Sequence, residues 1–232
     1  MKTLFSQNSL VFNPPMLGCV LLLSGLPGSG SKIYDRSPYG NIGTITGATW
    51  KRLPSGLWCL DFDGTDDFVE IAHNEGMNVD GHFTVKTWFN AEVFTQNNFY
   101  PALVSRMSGY YGFSLEKTNN ALTFSLWLGD GVDTQGSATT TSIQTDTWYQ
   151  IVAVYDGQIK MYLNGIAEGT PTTQDPPAQY TGVTKIGLHS SLTAAQRYWN
   201  GLIACPAIIR RAWSALEVQN NFNREKHLFG VW

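Results

Sequence analysis

The segment LDFDGTDDFVEI, residues 60–71, restricts the fold of this chain more than any other part of it. Its apolar run ends at Asp63-Gly64, a dipeptide that readily adopts the positive φ angles of a tight turn. After the turn, Val69 and Ile71 flank Glu70 in the alternation of a half-buried strand. The segment therefore predicts two β-strands joined by an acidic turn.

The clearest hairpin lies between Trp148 and Gly165. Its first strand, QIVAVY, is apolar on both sides, which predicts a central strand covered on both faces. The second strand follows the turn Asp156-Gly157 and alternates. One of its faces carries Ile159, Met161 and Leu163, and the other carries Lys160, Tyr162 and Asn164. This pattern predicts that the first face is buried and the second is exposed to water.

Length and composition fit one all-β domain. A chain of 232 residues with only 14% charged residues suits a sandwich of short strands and polar turns. One helix is predicted to begin after Ser214, whose hydroxyl forms a capping box with Glu217. We predict an antiparallel β-sandwich or jelly roll with one short C-terminal helix. It occupies residues 17–225, between an N-terminal arm at 1–16 and an apolar tail at 226–232.

Charge and hydropathy argue against several classes of protein. The formal net charge is −3 and no Lys/Arg cluster interleaves with aromatic residues, so we expect no nucleic-acid partner. No apolar run approaches the ~18 residues that span a bilayer, so we expect no membrane insertion. The apolar run at 17–23 is predicted as the first core strand rather than a signal peptide.

The cysteines indicate the compartment of synthesis. Cys19, Cys59 and Cys205 are odd in number and lie in apolar contexts. They predict buried free thiols in a protein that is made in a reducing cytosol.

Five segments, in order along the chain, carry a family resemblance. They are YDRSPYGNIGTITGATW (34–50), LDFDGTDDFVEI (60–71), FTVKTWF (83–89), WYQIVAVYDGQIKMYLNG (148–165) and YWNGLIACPAIIRRAWSALEVQNNF (198–222). They resemble the laminin-G-like jelly-roll branch of the concanavalin A-like lectin/glucanase superfamily. The resemblance covers almost everything from Leu17 onward and implies a jelly-roll sandwich. This fold serves lectins, hydrolases, adhesion modules and structural proteins, so it leaves the function open.

The acidic turn is a candidate metal site. Clustered carboxylate oxygens suit calcium, and the candidate ligands are Asp63, Asp66 and Asp67. In the resembled family a further acidic pair often comes from the closing strand, but residues 201–205 here read Gly-Leu-Ile-Ala-Cys. The alternative is that the carboxylates cap backbone N–H groups of the turn. We expect that no cofactor is required and that calcium is the one candidate ion.

The sequence lacks the pattern of a glycoside hydrolase. Such enzymes need two carboxylates about 5–10 Å apart across a sugar-binding cleft. The superfamily's hydrolases carry them as Glu-x-Asp-x-x-Glu on one strand, and this chain has no such run. Glu70 and Glu92, the nearest acidic strand residues, stand alone. We therefore expect a protein that is not an enzyme and has no catalytic residues.

Aromatic residues in loops give the best indication of a ligand. Aromatic rings stack on the C–H faces of sugars, so we predict glycan contacts for Tyr100, Tyr110, Tyr111, Trp127 and Trp199. Tyr and Trp are also enriched at protein interfaces and are used in sandwich cores. Both alternatives stay open for these residues.

These features favour a non-enzymatic virion surface protein, either a capsid decoration or a fibre-associated module. Such a protein is synthesised in the cytoplasm and reaches the virion surface without an export signal. The ending QNNFNREKHLFGV resembles the tails of phage-encoded concanavalin-like proteins. We expect a homo-oligomer joined through apolar termini, with capsid or other virion proteins and glycans as partners. The alternatives are a cellular or extracellular carbohydrate-binding lectin and, more remotely, a glycoside hydrolase.

Overall fold

The computed structural model describes residues 16–24, 30–79, 81–94, 100–108, 111–118, 121–128, 133–189 and 197–232. Side chains are described throughout these ranges except at positions 108, 111, 118, 127–128 and 133–138. The predicted N-terminal arm, apart from Met16, lies outside the described residues, as does Tyr110.

The described residues form sixteen β-strands and one α-helix. The strands are β1 Cys19–Leu22, β2 Lys32–Tyr34, β3 Ile42–Thr46, β4 Thr49–Arg52, β5 Trp58–Asp63, β6 Phe68–Ile71, β7 Phe83–Ala91, β8 Ala102–Ser108, β9 Tyr111–Thr118, β10 Ala121–Leu128, β11 Asp133–Ala138, β12 Trp148–Tyr155, β13 Gln158–Leu163, β14 Ile166–Thr173, β15 Thr184–Ile186 and β16 Asn200–Ile209. The helix is α1, Ala215–Glu225, and short 3-10 turns occupy Glu75–Met77 and Lys226–Phe229.

The strands make two eight-stranded antiparallel sheets. The first has the order β14-β13-β12-β7-β16-β5-β4, with β1 paired to β16. The second has the order β11-β10-β9-β8-β15-β6-β3-β2. The acidic turn after β5 therefore leads from the first sheet to the second. This architecture confirms the predicted antiparallel sandwich with one short C-terminal helix.

The main core fills the space between the sheets. Phe83 of the first sheet packs against Phe113 and Phe124 of the second, with ring centroids 5.3 and 5.9 Å apart. Tyr155 of the first sheet adds a third aromatic contact to Phe83 at 5.6 Å. Each such buried side chain contributes about 1.5–3 kcal/mol, so these contacts hold the two sheets together.

The predicted hairpin is present as β12 and β13. β12 lies between β7 and β13, which confirms the central position inferred from its two apolar faces. Ile159, Met161 and Leu163 are buried as predicted. The prediction that Tyr162 faces water is wrong, because Tyr162 is buried in a cluster with Trp213 and Val218. The helix region supplies that cover from a distant part of the sequence.

The predicted capping box at the start of α1 is confirmed. The Ser214 hydroxyl accepts from the Glu217 N–H at 3.3 Å, and the Glu217 carboxylate accepts from the Ser214 N–H at 2.9 Å. Arg211 pairs with the same carboxylate at 2.7 Å. The Arg211 contact, followed by the bond from the Ser214 N–H, lowers the pKa of Glu217 to about 2. Glu217 is therefore a charged acceptor at the helix start, where the helix dipole favours a negative charge.

A buried polar network fixes α1 to the outer face of the first sheet. Lys86 on β7 and Glu225 on α1 form an ion pair at 2.7 Å, and both side chains are 0% exposed. The Glu225 carboxylate also accepts from the Trp88 indole N–H at 2.8 Å and from the Gln150 amide at 3.1 Å. Asn221 donates to it at 3.0 Å from within the helix. The position of the helix therefore depends on one charged acceptor.

The C-terminal tail packs partly on its own domain. The Phe229 ring stacks on Trp88 of β7, with centroids 4.1 Å apart and an interplanar angle of 12°. Ser55 donates a hydrogen bond to the Leu228 carbonyl at 2.6 Å. Trp232, by contrast, is 92% exposed. The described tail thus combines an anchored part with an exposed terminal ring.

A buried carboxylate organises the turn between β2 and β3. Asp35 accepts five hydrogen bonds, from the Leu22, Ser37 and Asn41 backbone N–H groups, the Ser37 hydroxyl and the Asn41 amide. Their lengths run from 2.6 to 3.1 Å. The side chain thereby links the turn at 35–41 to β1 of the other sheet.

The three cysteines have the buried environment that the sequence predicts. No disulfide joins Cys19, Cys59 or Cys205, and all three are buried. Burial raises the pKa of Cys19 and that of Cys59 to about 12, so these thiols stay protonated and inert. In the part of the chain that the structure describes, no helix is long and apolar enough to cross a bilayer.

Candidate functional site

The outer face of β2, β3, β6 and β15 is the exposed sheet surface best suited to bind a ligand. Burial alternates along each of these strands, because one face is packed in the core and the other faces outward. We call the outward set the platform. Its members are Lys32, Tyr34, Ile42, Thr44, Thr46, Phe68, Glu70 and Lys185.

Four polar platform residues form one row across four strands. The strand register places Lys32 opposite Thr44, Thr44 opposite Glu70, and Glu70 opposite Lys185. The Lys32 ammonium donates to the Thr44 hydroxyl at 2.9 Å, and the Lys185 and Glu70 charges lie 3.8 Å apart. With strands about 4.8 Å apart, the row spans roughly 14 Å, which is the length of a few sugar units.

Apolar side chains flank the polar row on both sides. Tyr34 and Ile42 form a cross-strand pair on one side and are 44% and 50% exposed. On the other side Phe68 is half-buried beneath the Lys185 ammonium, which lies 5.0 Å from its ring centroid. Alternating aromatic faces and hydrogen-bonding groups suit a sugar, which is apolar on its C–H faces and polar at its hydroxyls.

The remaining part of the same sheet face is covered near its centre. Ser105 on β8 donates to the Leu188 carbonyl at 2.8 Å, which brings the segment after β15 over the sheet. The His189 Nε2 atom lies 3.0 Å from Glu116 of β9, and its Nδ1 atom lies 3.0 Å from the Arg197 guanidinium. Arg197 in turn lies 5.9 Å from the Tyr100 ring centroid. These contacts close off the sheet face beside the platform.

The carboxylates on this face are badly placed for glycoside hydrolysis. Glu70 and Glu116 are its described acidic side chains, and β6 and β9 are three strand positions apart. Three positions correspond to roughly 14 Å, beyond the ~5–10 Å that paired catalytic carboxylates need. Glu116 is also buried against His189. The geometry of the described face therefore favours binding over hydrolysis.

The structure does not gather the predicted glycan-contacting aromatics into one site. Tyr100 is half-buried beside Arg197. Tyr111 begins β9 and Trp127 lies near the end of β10, and the antiparallel register makes the two positions neighbours, with Tyr111 opposite Leu128 and Trp127 opposite Gly112. Tyr110 lies outside the described residues. Trp199 is only 2% exposed, and its ring packs edge-on against Phe89 in the core at 5.5 Å. A sugar at the surface cannot reach the Trp199 ring in this arrangement.

The acidic turn has the hydrogen bonds of a capped turn and also a cluster of carboxylates that could bind a metal ion. As turn caps, the Asp63 carboxylate accepts from the Thr65 N–H at 2.7 Å and the Asp67 carboxylate accepts from the Asp63 N–H at 2.9 Å. As candidate ligands, Asp63, Asp66 and Asp67 each offer an oxygen, and these atoms lie within 4.8 Å of one another. Calcium bonds of about 2.4 Å fit such a spacing. Burial, together with the neighbouring negative charges, raises the pKa of Asp67.

The platform could not be predicted from the sequence, because its residues come from four separated segments. The alternating strings KIY, IGTIT and FVEI do mark outward-facing positions. They do not show that β15, more than a hundred residues after β6, inserts beside it and brings Lys185 next to Glu70. Only the strand order reveals the row.

Comparison of the structure with solved proteins gives similar folds at low sequence identity. The binding domain of Paraclostridial Mosquitocidal Protein 1 superposes with a TM-score of 0.73 at 16% identity, covering 92% of this chain and 55% of that one. A botulinum neurotoxin type C structure gives 0.71 at 15% identity, with 89% and 51% coverage. The botulinum neurotoxin DC binding domain in complex with rat synaptotagmin II gives 0.71 at 14% identity, with 89% and 51% coverage. The chain spans about half the length of these structures.

Comparison at the sequence level gives a family assignment. No curated protein sequence matches the chain. A family model described as the concanavalin A-like lectin/glucanases superfamily matches residues 63–219, well over half of the chain. The matched region runs from the acidic turn into α1 and includes the predicted hairpin. The chain therefore belongs to the concanavalin A-like lectin/glucanases superfamily.

Proposed function

We propose that this chain is a non-enzymatic, glycan-binding virion surface protein that holds its ligand on the platform. The observation that carries the glycan-binding part is the polar row of Lys32, Thr44, Glu70 and Lys185. The exposed Tyr34 and Ile42 beside it offer an apolar surface for a sugar ring. The separation of Glu70 from Glu116 supports binding without hydrolysis.

The structural neighbours support a binding role in general terms. Cell entry of the type C neurotoxin depends on its interaction with two ganglioside molecules. The DC binding domain is in complex with rat synaptotagmin II. Because this chain matches only about half of each of those structures, their ligands can lie on the other half. The platform, rather than this likeness, supports a glycan ligand here.

The cysteines and the C-terminal segment support a role on a virion. Three buried cysteines without a disulfide fit a protein that is made in a reducing compartment. Resemblance of the C-terminal segment to phage-encoded proteins points to a virion, where a glycan-binding face would contact the host surface. The exposed Trp232 is a candidate contact with a second copy or with a capsid protein.

Replacing Tyr34 with alanine is expected to weaken glycan binding about tenfold or more, because the exposed aromatic ring that can stack on a sugar beside the polar row would be lost. The measurement is binding to a glycan array, followed by calorimetric titration of the best glycan. Ile166→Ala is the matched control, since Ile166 is an exposed apolar residue on an edge strand of the first sheet. Equal glycan affinity of Tyr34→Ala and the unmodified protein would exclude the platform as the glycan-binding site.

Light scattering tests the assembly part. We expect an oligomer whose mass falls when residues 226–232 or 1–11 are removed. We also expect the protein to sediment together with empty capsids, whether or not glycans are added. Because Phe229 stacks on Trp88, the sharper variant is Trp232→Ala, which leaves that anchor intact. A monomer that binds no capsid would contradict the virion role and leave a cellular or extracellular lectin. Release of reducing sugar would instead indicate a hydrolase.

We also propose that calcium binds at the acidic turn without being required for folding. The turn's own hydrogen bonds hold it, and a cation would offset the repulsion among Asp63, Asp66 and Asp67. Calcium at 100 times its Kd would stabilise the protein by about 2.7 kcal/mol. The measurement is the thermal unfolding midpoint with calcium and with chelator. Asp66→Asn should abolish the calcium effect, because Asp66 accepts none of the turn's described hydrogen bonds. An unchanged midpoint in the unmodified protein would contradict the site.

A further inference from the structure

An open cleft of about 440 Å³ lies at one end of the sandwich, away from the polar row of the platform. It forms where the segment leading into β7 meets the end of β16. Its described lining consists of Val79, Gly81, His82, Arg210, Arg211 and Ala212. The volume falls within the range of small-molecule sites.

The titratable side chains among the described lining residues are all basic. Arg211 is held in place, because its Nη2 atom pairs with Glu217 at 2.7 Å and its Nε atom donates to the Leu17 carbonyl at 3.1 Å. Arg210 is exposed, and its guanidinium makes a single long hydrogen bond, 3.3 Å, to the Gly76 carbonyl. The other N–H groups of this guanidinium make no hydrogen bond to a described residue. Arg210 therefore keeps most of a guanidinium fork for an external acceptor.

Two described acidic groups near the cleft have partners of their own. Glu217 on α1 is paired with Arg211, and Asp156 after β12 is paired with Lys160. Neither carboxylate is therefore committed to Arg210. Arg210, directly after β16, and His82, directly before β7, both line the cleft, so one bound ligand can contact both side chains.

We propose that this cleft binds an oxyanion, the carboxylate or sulfate group of an acidic sugar, through Arg210 and His82. A guanidinium fork matches the two oxygens of such a group and forms charge-assisted hydrogen bonds with it. The assignment of the anion to a sugar rests on the proposed function, whereas the oxyanion site itself does not.

Packing connects the rim of the cleft to the platform strands. A Cβ atom added at Gly76 would lie 2.1 Å from the Tyr39 ring, so this ring lies directly over Gly76. Tyr39 belongs to the turn that joins β2 and β3, and the Gly76 carbonyl accepts from Arg210. The cleft is thus a second subsite that adjoins the turn of the platform.

Calorimetric titration of the full chain tests the proposal with three probes: sodium glucuronate, sodium sulfate and neutral glucose, at constant ionic strength. We expect saturable binding of glucuronate and sulfate, and none of glucose in the cleft. Arg210→Gln should weaken binding of both anions about tenfold or more, and Arg210→Lys should restore part of it. Arg224→Gln is the matched control, because it removes the same charge from an exposed position on α1.

The variants also separate this site from the platform. Loss of anion binding in Arg210→Gln, with Tyr34→Ala unaffected, would support the cleft even if the platform binds no glycan. Equal affinity of Arg210→Gln and the unmodified protein, with unchanged thermal unfolding in both, would overturn it. If the protein binds sulfate but not glucuronate, the ligand is not the carboxylate of an acidic sugar, and a sulfated sugar is left as the candidate.

Discussion

Replacing Glu225 with alanine is expected to lower the free energy of unfolding by about 3–5 kcal/mol. The change leaves the Lys86 ammonium buried without its counter-charge, although both side chains are 0% exposed in the intact protein. It also removes the acceptor of the Trp88 indole N–H. An unpaired buried charge is among the few causes of so large a loss from one substitution.

Urea unfolding followed by tryptophan fluorescence measures this effect. Asp61→Ala is the control, because Asp61 makes an exposed ion pair with Lys51 at 3.6 Å, which should contribute less than about 1 kcal/mol. The double variant Lys86→Met/Glu225→Gln should recover part of the loss, since no charge then stays buried. A loss below about 1 kcal/mol for Glu225→Ala would mean that water reaches the network.

Replacing Asp35 with alanine is expected to cost about 3–4 kcal/mol. The substitution removes the acceptor of five hydrogen bonds and leaves the Leu22, Ser37 and Asn41 N–H groups without that partner. Each unsatisfied buried donor costs about 1–3 kcal/mol, and relaxation of the turn recovers part of the sum. Because this turn holds Tyr34 and Ile42 in register, glycan binding should weaken as well.

Thermal and urea unfolding test the Asp35 prediction, with Asp66→Ala as the matched control. Asp66 is exposed on another turn, so its replacement should change stability by less than about 0.5 kcal/mol without calcium. Asp35→Asn should fall between the two, because the amide oxygen still accepts some of the bonds. Equal stability of Asp35→Ala and Asp66→Ala would contradict the structural role of Asp35.

Local sequence patterns predicted the parts of the fold that depend on near neighbours. Alternation between Ile159 and Leu163 identified a strand, and the capping box of Ser214 and Glu217 identified the start of the helix. Tyr162 was misassigned because its cover, Trp213 and Val218, comes from about fifty residues later. Periodicity reports which residues share a face, but not what that face meets.

The candidate site was harder to predict for the same reason. Trp199 lies beside loop residues in the sequence, yet its ring enters the core against Phe89. Lys32 and Lys185 lie far apart in the chain, and only the order β2-β3-β6-β15 places them in one row. The acidic turn was found from sequence because its three carboxylates lie within five residues. Sites assembled within a single turn can be read from sequence, whereas sites assembled across strands need the strand order.

Backbone amide chemical shifts, recorded while the best glycan from the array is titrated in, test the central claim most directly. Our account predicts that the largest shifts fall on β2, β3, β6 and β15, around Tyr34, Thr44, Glu70 and Lys185. The outer face of the first sheet, under α1, should stay unchanged. Shifts concentrated elsewhere, or no saturable shifts with any glycan, would contradict the assignment of the platform as the binding site.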